Sequence, residues 1–206
     1  EGYKTKTVLE VFENRDPRLE QTFMKPGVLN VGTTEPHRTK LNLGGYPQIK
    51  FRPLTFYQID WGKSYPDLPI IRYAEVLLMY AEAKVRKTET VPSVAAINAV
   101  NQVRNRAGLA NLPAVATNTK DAFLDAILIE RGHELFYEGN RKIDLIRFNK
   151  YAQEMYKVKG VMPTHQYMPI PNYAVEQAVS YGKELKQTWE RPGWAEDKSK
   201  AQQNIN

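Results

Sequence analysis

Cysteine is absent from the 206 residues of this chain, and histidine occurs only three times. The lack of cysteine excludes disulfides, thiolate metal ligands and a cysteine nucleophile. His37, His133 and His165 lie far apart in the sequence, so no two of them have the spacing of metal ligands on one helical turn. The sequence therefore predicts neither a metal site nor a cofactor.

Long apolar runs are also missing. The longest run, Val76 to Ala81, has six residues, whereas a helix that crosses a bilayer needs about 20. The chain begins Glu1-Gly2-Tyr3, without an initiator methionine or a signal peptide. We therefore expect any targeting segment to lie outside this chain, and the chain to be part of a longer protein.

The basic excess does not point to nucleic acid. There are 29 basic and 23 acidic residues, for a formal net charge of +6. The basic residues are spread along the chain and never form a run of five, as expected of ordinary solubility rather than of a polyanion site. A hydrophobic content of 42% is that of a folded globular chain, which argues against global disorder.

Two compositional halves meet near Pro69. Residues 1–68 are rich in proline and glycine with short β-prone pieces, which predicts loops and a few short strands. From Ile70 onward, apolar residues recur with the helical period of 3.6. Residues 69–158 are predicted to form helical hairpins, and 159–206 an extended segment, one helix and a polar tail. The predicted fold class is mainly α.

The first predicted helix is apolar on two faces. The second stripe contains Tyr73, Val76, Tyr80 and Ala83. The first stripe consists of Ile70, Ile71, Ala74, Leu77, Leu78, Ala81 and Val85. A helix with two apolar faces is expected to be packed between other elements.

Further helices follow from caps and periodicity. Ser93 is a candidate N-cap for a second helix that ends at Gly108 and forms an antiparallel hairpin with the first. A third helix is predicted over 121–138, a fourth over 141–151, and a last one over 173–186.

The third predicted helix carries Glu130, Glu134 and Glu138 at successive i+4 positions. Two carboxylates at that spacing can in principle serve a glycosidase as acid and as nucleophile or base. Like charges at i, i+4 disfavour a helix by about 0.2–0.5 kcal/mol each, which favours arginines facing them from neighbouring elements. The available arginines are Arg72, Arg104 and Arg106. We favour the ion-pair network, with a glycosidase using Glu130 and Glu134 as the alternative.

Aromatic residues cluster between Tyr46 and Tyr65, interleaved with short polar side chains. Flat rings beside carboxylate and amide groups suit a sugar or a peptide, because the ring contacts the apolar C–H face and the polar groups bind hydroxyls. We predict ligand contacts from Tyr57, Asp60, Trp61 and Tyr65. The alternative is that these aromatics cap the helical core.

Five segments occur in a distinctive order along residues 16–171. They are Asp16-Pro17-Arg18-Leu19, residues 72–83 (RYAEVLLMYAEA), residues 97–109 (INAVNQVRNRAGL), residues 127–147 (ILIERGHELFYEGNRKIDLIR) and Met168-Pro169-Ile170-Pro171. Together they resemble the helical hairpin and flanking blocks of SusD/RagB-like outer-membrane nutrient-binding lipoproteins.

The resemblance implies a mainly α fold of tetratricopeptide-like helical hairpins, of which residues 1–206 form the C-terminal portion of a single domain. It further implies a non-catalytic protein at the cell surface of Bacteroidetes-type bacteria that binds a glycan or a peptide. The implied partner is a SusC-like TonB-dependent barrel transporter, and the implied membrane anchor is an N-terminal lipidated cysteine outside this chain.

Some features depart from that family. Members are much longer, His133 stands where another basic residue is usual, and the usual Gln-Asn-Pro-Gly-Tyr ending is replaced by Glu190-Arg191-Pro192-Gly193-Trp194. Ligand residues vary among members, so the four predicted contacts depend on the local pattern alone. A different class also stays open: a stand-alone helical-repeat adaptor that binds a protein or peptide on its concave face.

Overall fold

The computed structural model describes residues 12–23, 48–51, 59–60, 63–64, 69–87, 90–187, 195 and 198–199. The chain divides into two compact units, Glu1–Asn140 and Arg141–Asn206. Within the described ranges, no helix has the length and apolar character needed to cross a membrane.

The first unit is mainly helical. In chain order it contains α1 (Arg18–Thr22), the two-residue strands β1 (Ile59–Asp60) and β2 (Lys63–Ser64), α2 (Tyr73–Lys87), α3 (Val94–Arg106), a 3-10 turn (Ala114–Ala116) and α4 (Lys120–Glu134). The strands pair antiparallel, with Ile59 opposite Ser64. The helices α2, α3 and α4 pack against one another.

The core lies where these three helices meet. Each helix buries one apolar stripe with helical spacing: Ala74, Leu78, Ala81 and Val85 from α2, Ala96, Val100 and Val103 from α3, and Phe123, Ile127 and Leu128 from α4. The 3.6-residue period that predicted helices in this half of the chain is thus the period of its buried residues.

Two expectations about the first long helix are corrected. The helix begins at Tyr73, since its first backbone bonds run from Glu75 and Val76 to the Arg72 carbonyl. Ile70 and Ile71, grouped with the buried stripe in the prediction, therefore precede the helix and are exposed. The second apolar face of α2 is exposed as well, so in the described structure it is not packed between other elements.

The ends of α3 follow the sequence prediction. The Ser93 Oγ accepts a hydrogen bond from the Ala96 N–H at 3.4 Å, which confirms the predicted N-cap. At the other end Gly108 adopts a φ of +76°, and the N–H groups of Gly108 and Leu109 donate to the carbonyls of Asn105 and Arg104. This pair of bonds is the Schellman motif that a glycine at this position predicts.

The helix α4 is shorter than predicted. It begins after Thr119, whose hydroxyl accepts from the Ala122 N–H, and it ends at Glu134 instead of at residue 138. Tyr137 and Gly139 have φ values of +65° and +83°, which end helical geometry. Glu138 therefore lies in the turn after α4 and not on it.

The second unit contains α5 (Arg141–Arg147), α6 (Tyr151–Lys159) and α7 (Asn172–Ser180). The helix predicted over 141–151 begins at Arg141 as expected but ends at Arg147, because Asn149 has a φ of +60° and interrupts the chain before α6. The helix α6 was not predicted. On α5, Leu145 is buried and Ile143 is exposed. The helix predicted over 173–186 ends at Ser180, since Gly182 follows in the left-handed region at +67°.

Candidate functional site

Three buried glutamates gather at the C-terminal end of α4. Glu130 and Glu134 lie one turn apart on the buried face of the helix, and Glu138 follows in the turn, with side chains 1%, 2% and 4% exposed. An ionised carboxylate is costly to bury unless cations and hydrogen-bond donors surround it. The partners of these glutamates therefore decide what the cluster can do.

Glu130 is held on both oxygens. Its Oε1 accepts from Arg18 Nη1 at 2.6 Å, and its Oε2 accepts from Arg104 Nη1 at 3.0 Å. Arg18 is itself positioned by Asp16, whose two oxygens accept from Arg18 Nε at 2.9 Å and Nη2 at 2.6 Å. A forked pair of this kind fixes the plane of the guanidinium as well as its position.

Glu134 lies at the centre of the cluster. Its carboxylate accepts from Arg72 Nη1 at 2.5 Å, from Arg106 Nη2 at 2.7 and 2.8 Å, and from Arg18 Nη1 at 2.9 Å. One carboxylate therefore joins the segment before α2, the end of α3 and the start of α1 to α4. These segments are distant in sequence, so this contact fixes tertiary structure.

Glu138 and the end of α4 share their partners. Glu138 accepts from Lys50 Nζ at 2.5 Å and from Arg72 Nε at 2.9 Å. The same two side chains donate to free carbonyls at the helix end, Lys50 to those of Glu134 and Phe136 and Arg72 to that of Glu134. Cations thus satisfy the helix terminus where its dipole is negative.

The electrostatics of the cluster favour ionised carboxylates. Burial alone would raise the pKa of Glu134, but the hydrogen bonds from Arg72 and Arg18 and the charges of Arg72 and Arg106 outweigh it, and the pKa lies below its ordinary value. In the same way, Arg72 and Lys50 lower the pKa of Glu138, and Arg18 lowers that of Asp16, against the effect of burial. The pKa values of Arg18 and Arg72 are raised.

The prediction that arginines from neighbouring elements pair with these glutamates is confirmed. Arg72, Arg104 and Arg106 all bind them. Sequence reasoning missed Arg18 and Lys50, although Arg18 lies in one of the five segments that carry the family resemblance. Lys50 sits in the loop-rich half, where no periodic pattern could relate it to α4.

This geometry does not suit a glycosidase. A general acid needs a raised pKa and a free oxygen that reaches the substrate. Glu134 has a lowered pKa, and both of its oxygens bind arginine. Both Glu130 oxygens are likewise bound. The cluster is built to hold segments together.

Two cavities of the first unit border the cluster. One, of about 280 Å³, has an apolar floor that includes Leu19, Phe23 and Phe136, with Asp16 and His133 at its polar side. The Phe23 and Phe136 rings are tilted against each other with centroids 5.1 Å apart, and the His133 Nδ1 lies 3.4 Å from Asp16 Oδ2.

The second cavity, of about 190 Å³, is more polar. Lys50, Arg72, Arg106, His133 and Glu134 contribute to its lining. The cations that line it already bind carboxylates of the cluster, so the cavity borders a neutralised network rather than a free cationic surface.

The predicted ligand residues fall outside the described side chains. Tyr57, Trp61 and Tyr65 lie in ranges that are not described, and Asp60 is described only as part of the backbone of β1. Among the residues that the structure does describe, no group of three or more histidine, aspartate or glutamate side chains has the arrangement of a metal site.

Comparison with known proteins identifies relatives of one kind. The model of the SusD family matches residues 1–192. A SusD-like protein of Formosa agariphila is 31% identical over 148 residues, which are 66% of this chain and 29% of that protein.

The solved structures that this chain resembles are also SusD-type proteins. A SusD homologue of Bacteroides thetaiotaomicron VPI-5482 matches with a TM-score of 0.57 at 24% identity, over 84% of this chain and 41% of its own. A SusD superfamily protein of Parabacteroides distasonis ATCC 8503 matches with a TM-score of 0.51 at 32% identity, over 70% of this chain and 31% of its own. The chain thus spans less than half the length of each of these relatives. The mainly α fold class and the resemblance seen in the sequence are both confirmed, and the chain belongs to the SusD family.

Proposed function

We propose that this chain is the C-terminal portion of a cell-surface protein that binds a glycan or a peptide and delivers it to a TonB-dependent transporter in the outer membrane. The protein is not an enzyme in this proposal, and the lipid anchor that holds it at the outer membrane lies upstream of residue 1.

The family match over residues 1–192 is the observation that carries this proposal. The five ordered segments of the sequence support the same placement, since the third and fourth of them contribute Arg104 and Glu130 to one ion-pair network. The non-catalytic role is supported by the arginine contacts of Glu130 and Glu134, which occupy both oxygens of each carboxylate.

The ligand contacts are assigned to Tyr57, Asp60, Trp61 and Tyr65 on the pattern of rings and polar groups in the sequence. The test is glycan binding by the protein from the complete reading frame, across a polysaccharide panel, with and without Trp61→Ala. We expect a Kd for the preferred glycan that is weaker by at least about fivefold, because a stacking aromatic residue contributes about 1–3 kcal/mol to binding.

Tyr173→Ala is the matched control, since Tyr173 is an exposed aromatic residue outside this segment. It should leave the Kd unchanged. An unchanged affinity in Trp61→Ala across the panel would remove Trp61 from the site. Release of reducing ends from the bound glycan, abolished by Glu130→Gln, would instead revive the glycosidase alternative.

The transporter requires its own test. Affinity purification of the complete protein from its native outer membrane should yield a TonB-dependent barrel in near-equal amount, and the neighbouring reading frame should encode that barrel. If neither is found, delivery to a transporter is wrong, while the glycan-binding result still stands.

A further inference from the structure

The larger of the two cavities beside the glutamate cluster lies between α1 and the end of α4, and it is named here the α1–α4 pocket. Leu19 and Phe23 line it from the α1 side, and Phe136 lines it from the turn after α4. Its volume is about 280 Å³, whereas an apolar cavity of about 150 Å³ already holds one benzene molecule. The pocket therefore has room for a single ring or branched aliphatic group with a small polar substituent.

The apolar floor of the pocket is fixed by contacts within the first unit. The Phe23 N–H donates to the Leu19 carbonyl at 2.8 Å. The centroid of the Phe136 ring lies 5.1 Å from that of Phe23 and 6.1 Å from that of Tyr137. A ligand that enters a pocket with fixed walls has less ordering to impose on the protein.

Gly132 lines the pocket from inside α4. Glycine weakens a helix relative to alanine, because it gains more backbone freedom in the unfolded chain. At this position the residue has no side chain to take space from the pocket. The sequence thus has a helix-weakening residue where the wall of the pocket is formed.

The titratable side chains that line the pocket are Arg15, Asp16, Arg18 and His133. Asp16 accepts hydrogen bonds from Arg18 Nε at 2.9 Å and Nη2 at 2.6 Å, and the His133 Nδ1 lies 3.4 Å from the same carboxylate. Arg15 is exposed, and it has no hydrogen bond or ion pair with any residue in the described part of the chain. Arg15 is therefore the cation at this pocket that a ligand can bind.

We propose that the α1–α4 pocket binds an apolar group that carries a carboxylate. The ring or branched chain lies on Phe23 and Phe136, and the carboxylate binds Arg15, whose planar guanidinium matches a carboxylate with two parallel hydrogen bonds. The C-terminal residue of a peptide and a free aromatic or aliphatic acid share this chemistry. The inference goes beyond the proposed function, since it adds a site made of residues that the proposed glycan contacts do not include.

Other ligands fit the pocket less well. The hydroxyls of a neutral sugar need hydrogen-bond partners around the ring, whereas Leu19, Phe23 and Phe136 offer only carbon side chains. An inorganic anion would bind Arg15 but leave this apolar floor in water. A ligand that is both apolar and anionic uses both features.

The test is calorimetric binding of N-acetylphenylalanine to the protein from the complete reading frame, at low ionic strength because the charge of Arg15 is exposed to salt. Two probes are compared with it, the uncharged N-acetylphenylalaninamide and the ring-free N-acetylalanine. The acid should bind at least about fivefold more tightly than the amide, which lacks the charged acceptor. It should bind at least about tenfold more tightly than N-acetylalanine, because the ring buries more apolar surface.

Variants assign the two features to residues. Arg15→Gln should make the Kd values of the acid and the amide equal, and Phe136→Ala should weaken both probes to a similar extent. Lys84→Gln is the matched control, since Lys84 is an exposed cation of α2 that does not line the pocket. If Phe136→Ala does not fold, Arg15→Gln still decides, because an exposed side chain is replaced.

Photolabelling locates the bound acid, and a longer probe identifies its source. N-acetyl-4-azidophenylalanine should label residues 15–23 or 132–136. Tighter binding of N-acetyl-Gly-Gly-Phe than of N-acetylphenylalanine would support a peptide as the source, and equal binding a free acid. The absence of binding at millimolar concentration, equal affinities for acid and amide in the unaltered protein, or labelling only outside the two ranges would each overturn the inference. The polysaccharide panel is measured separately, so a protein that binds the acid and no glycan would contradict the proposed function alone.

Discussion

The two compact units differ in how they are held together. Of the sixteen buried apolar residues in the described chain, thirteen lie before Arg141, and the second unit contributes Leu145, Phe148 and Ala152. The first unit also holds the glutamate–arginine network. The second unit has a pair between the buried Asp144 and Arg147, close in sequence, and a more exposed pair between Glu154 and Lys157.

This difference indicates which of the two units is the more stable. In the first unit, contacts join segments as far apart as Arg18 and Glu134, so losing one of them releases several elements. In the second unit, the ion pairs just named span three residues and hold only one helical turn. The Glu154–Lys157 pair lies at the surface, and pairs of that kind contribute little to stability. We therefore expect the first unit to resist opening more strongly than the second.

The largest expected effect comes from the centre of the network. Glu134→Ala leaves three arginines facing an empty position, and breaking a buried ion pair on one side costs about 3–5 kcal/mol. Glu154→Ala removes the surface ion pair with Lys157 in the second unit and should lower the free energy of unfolding by no more than about 1 kcal/mol. Hydrogen exchange measured by mass spectrometry reports on the helices of each unit separately.

Loss of protection in α2, α3 and α4 together is the expected signature of Glu134→Ala. Equal effects of the two substitutions would mean that the network adds no stability beyond that of a surface pair. The contrast between the units would then rest on apolar packing alone.

The next largest loss of stability is expected from a substitution in the apolar core. Leu78 is fully buried between the helices of the first unit, and Leu78→Ala should cost about 2–5 kcal/mol through lost transfer energy and the cavity left behind. Val158→Ala, at a residue of the second unit that is 81% exposed, should change stability by no more than about 0.5 kcal/mol. The free energy of unfolding from chemical denaturation measures both, and a small cost for Leu78→Ala would contradict a close-packed core.

Acid should weaken the first unit. The pKa values of Asp16, Glu134 and Glu138 are lowered in the folded chain, so the unfolded chain binds protons at a higher pH than the folded one. The stabilising contribution is complete at neutral pH and is lost progressively as the pH falls below the ordinary glutamate value of 4.5. Protection of α4 amides against exchange, followed from pH 6 downward, measures this loss.

The same titration of Glu134→Gln provides the control. One fewer carboxylate then takes up a proton on unfolding, so the dependence on pH should be shallower. An unchanged slope would show that Glu134 does not contribute to the acid response.

Much of the helical scaffold could be predicted because its signals are local. The Ser93 cap, the Gly108 stop and the buried stripes all appear in the sequence at fixed spacings. The arginine partners of the glutamates could be predicted in part, since an uncompensated row of glutamates on a helix implies cations nearby.

Other features depend on information that no local pattern contains. Arg18 reaches Glu130 across 112 residues, and Lys50 reaches Glu138 across 88. The break at Asn149 was missed because a single non-glycine residue in the left-handed region leaves no periodic signal. The ligand contacts at Tyr57, Asp60, Trp61 and Tyr65 remain predictions.

The smallest effects are expected from replacing two glycines by alanine. These substitutions add backbone strain without changing the packing of the core. Gly108 in the first unit and Gly182 in the second have φ values of +76° and +67°, and an added Cβ would meet no atom within 4 Å at either position. Replacement by alanine therefore costs only the strain of the left-handed region, about 1 kcal/mol in each case. Exchange protection of α3 and of α7 measures the two losses. Because the second unit has fewer buried apolar residues, the same loss should open a larger fraction of α7 than of α3. Equal fractional opening would show that the two units are equally stable despite their different cores.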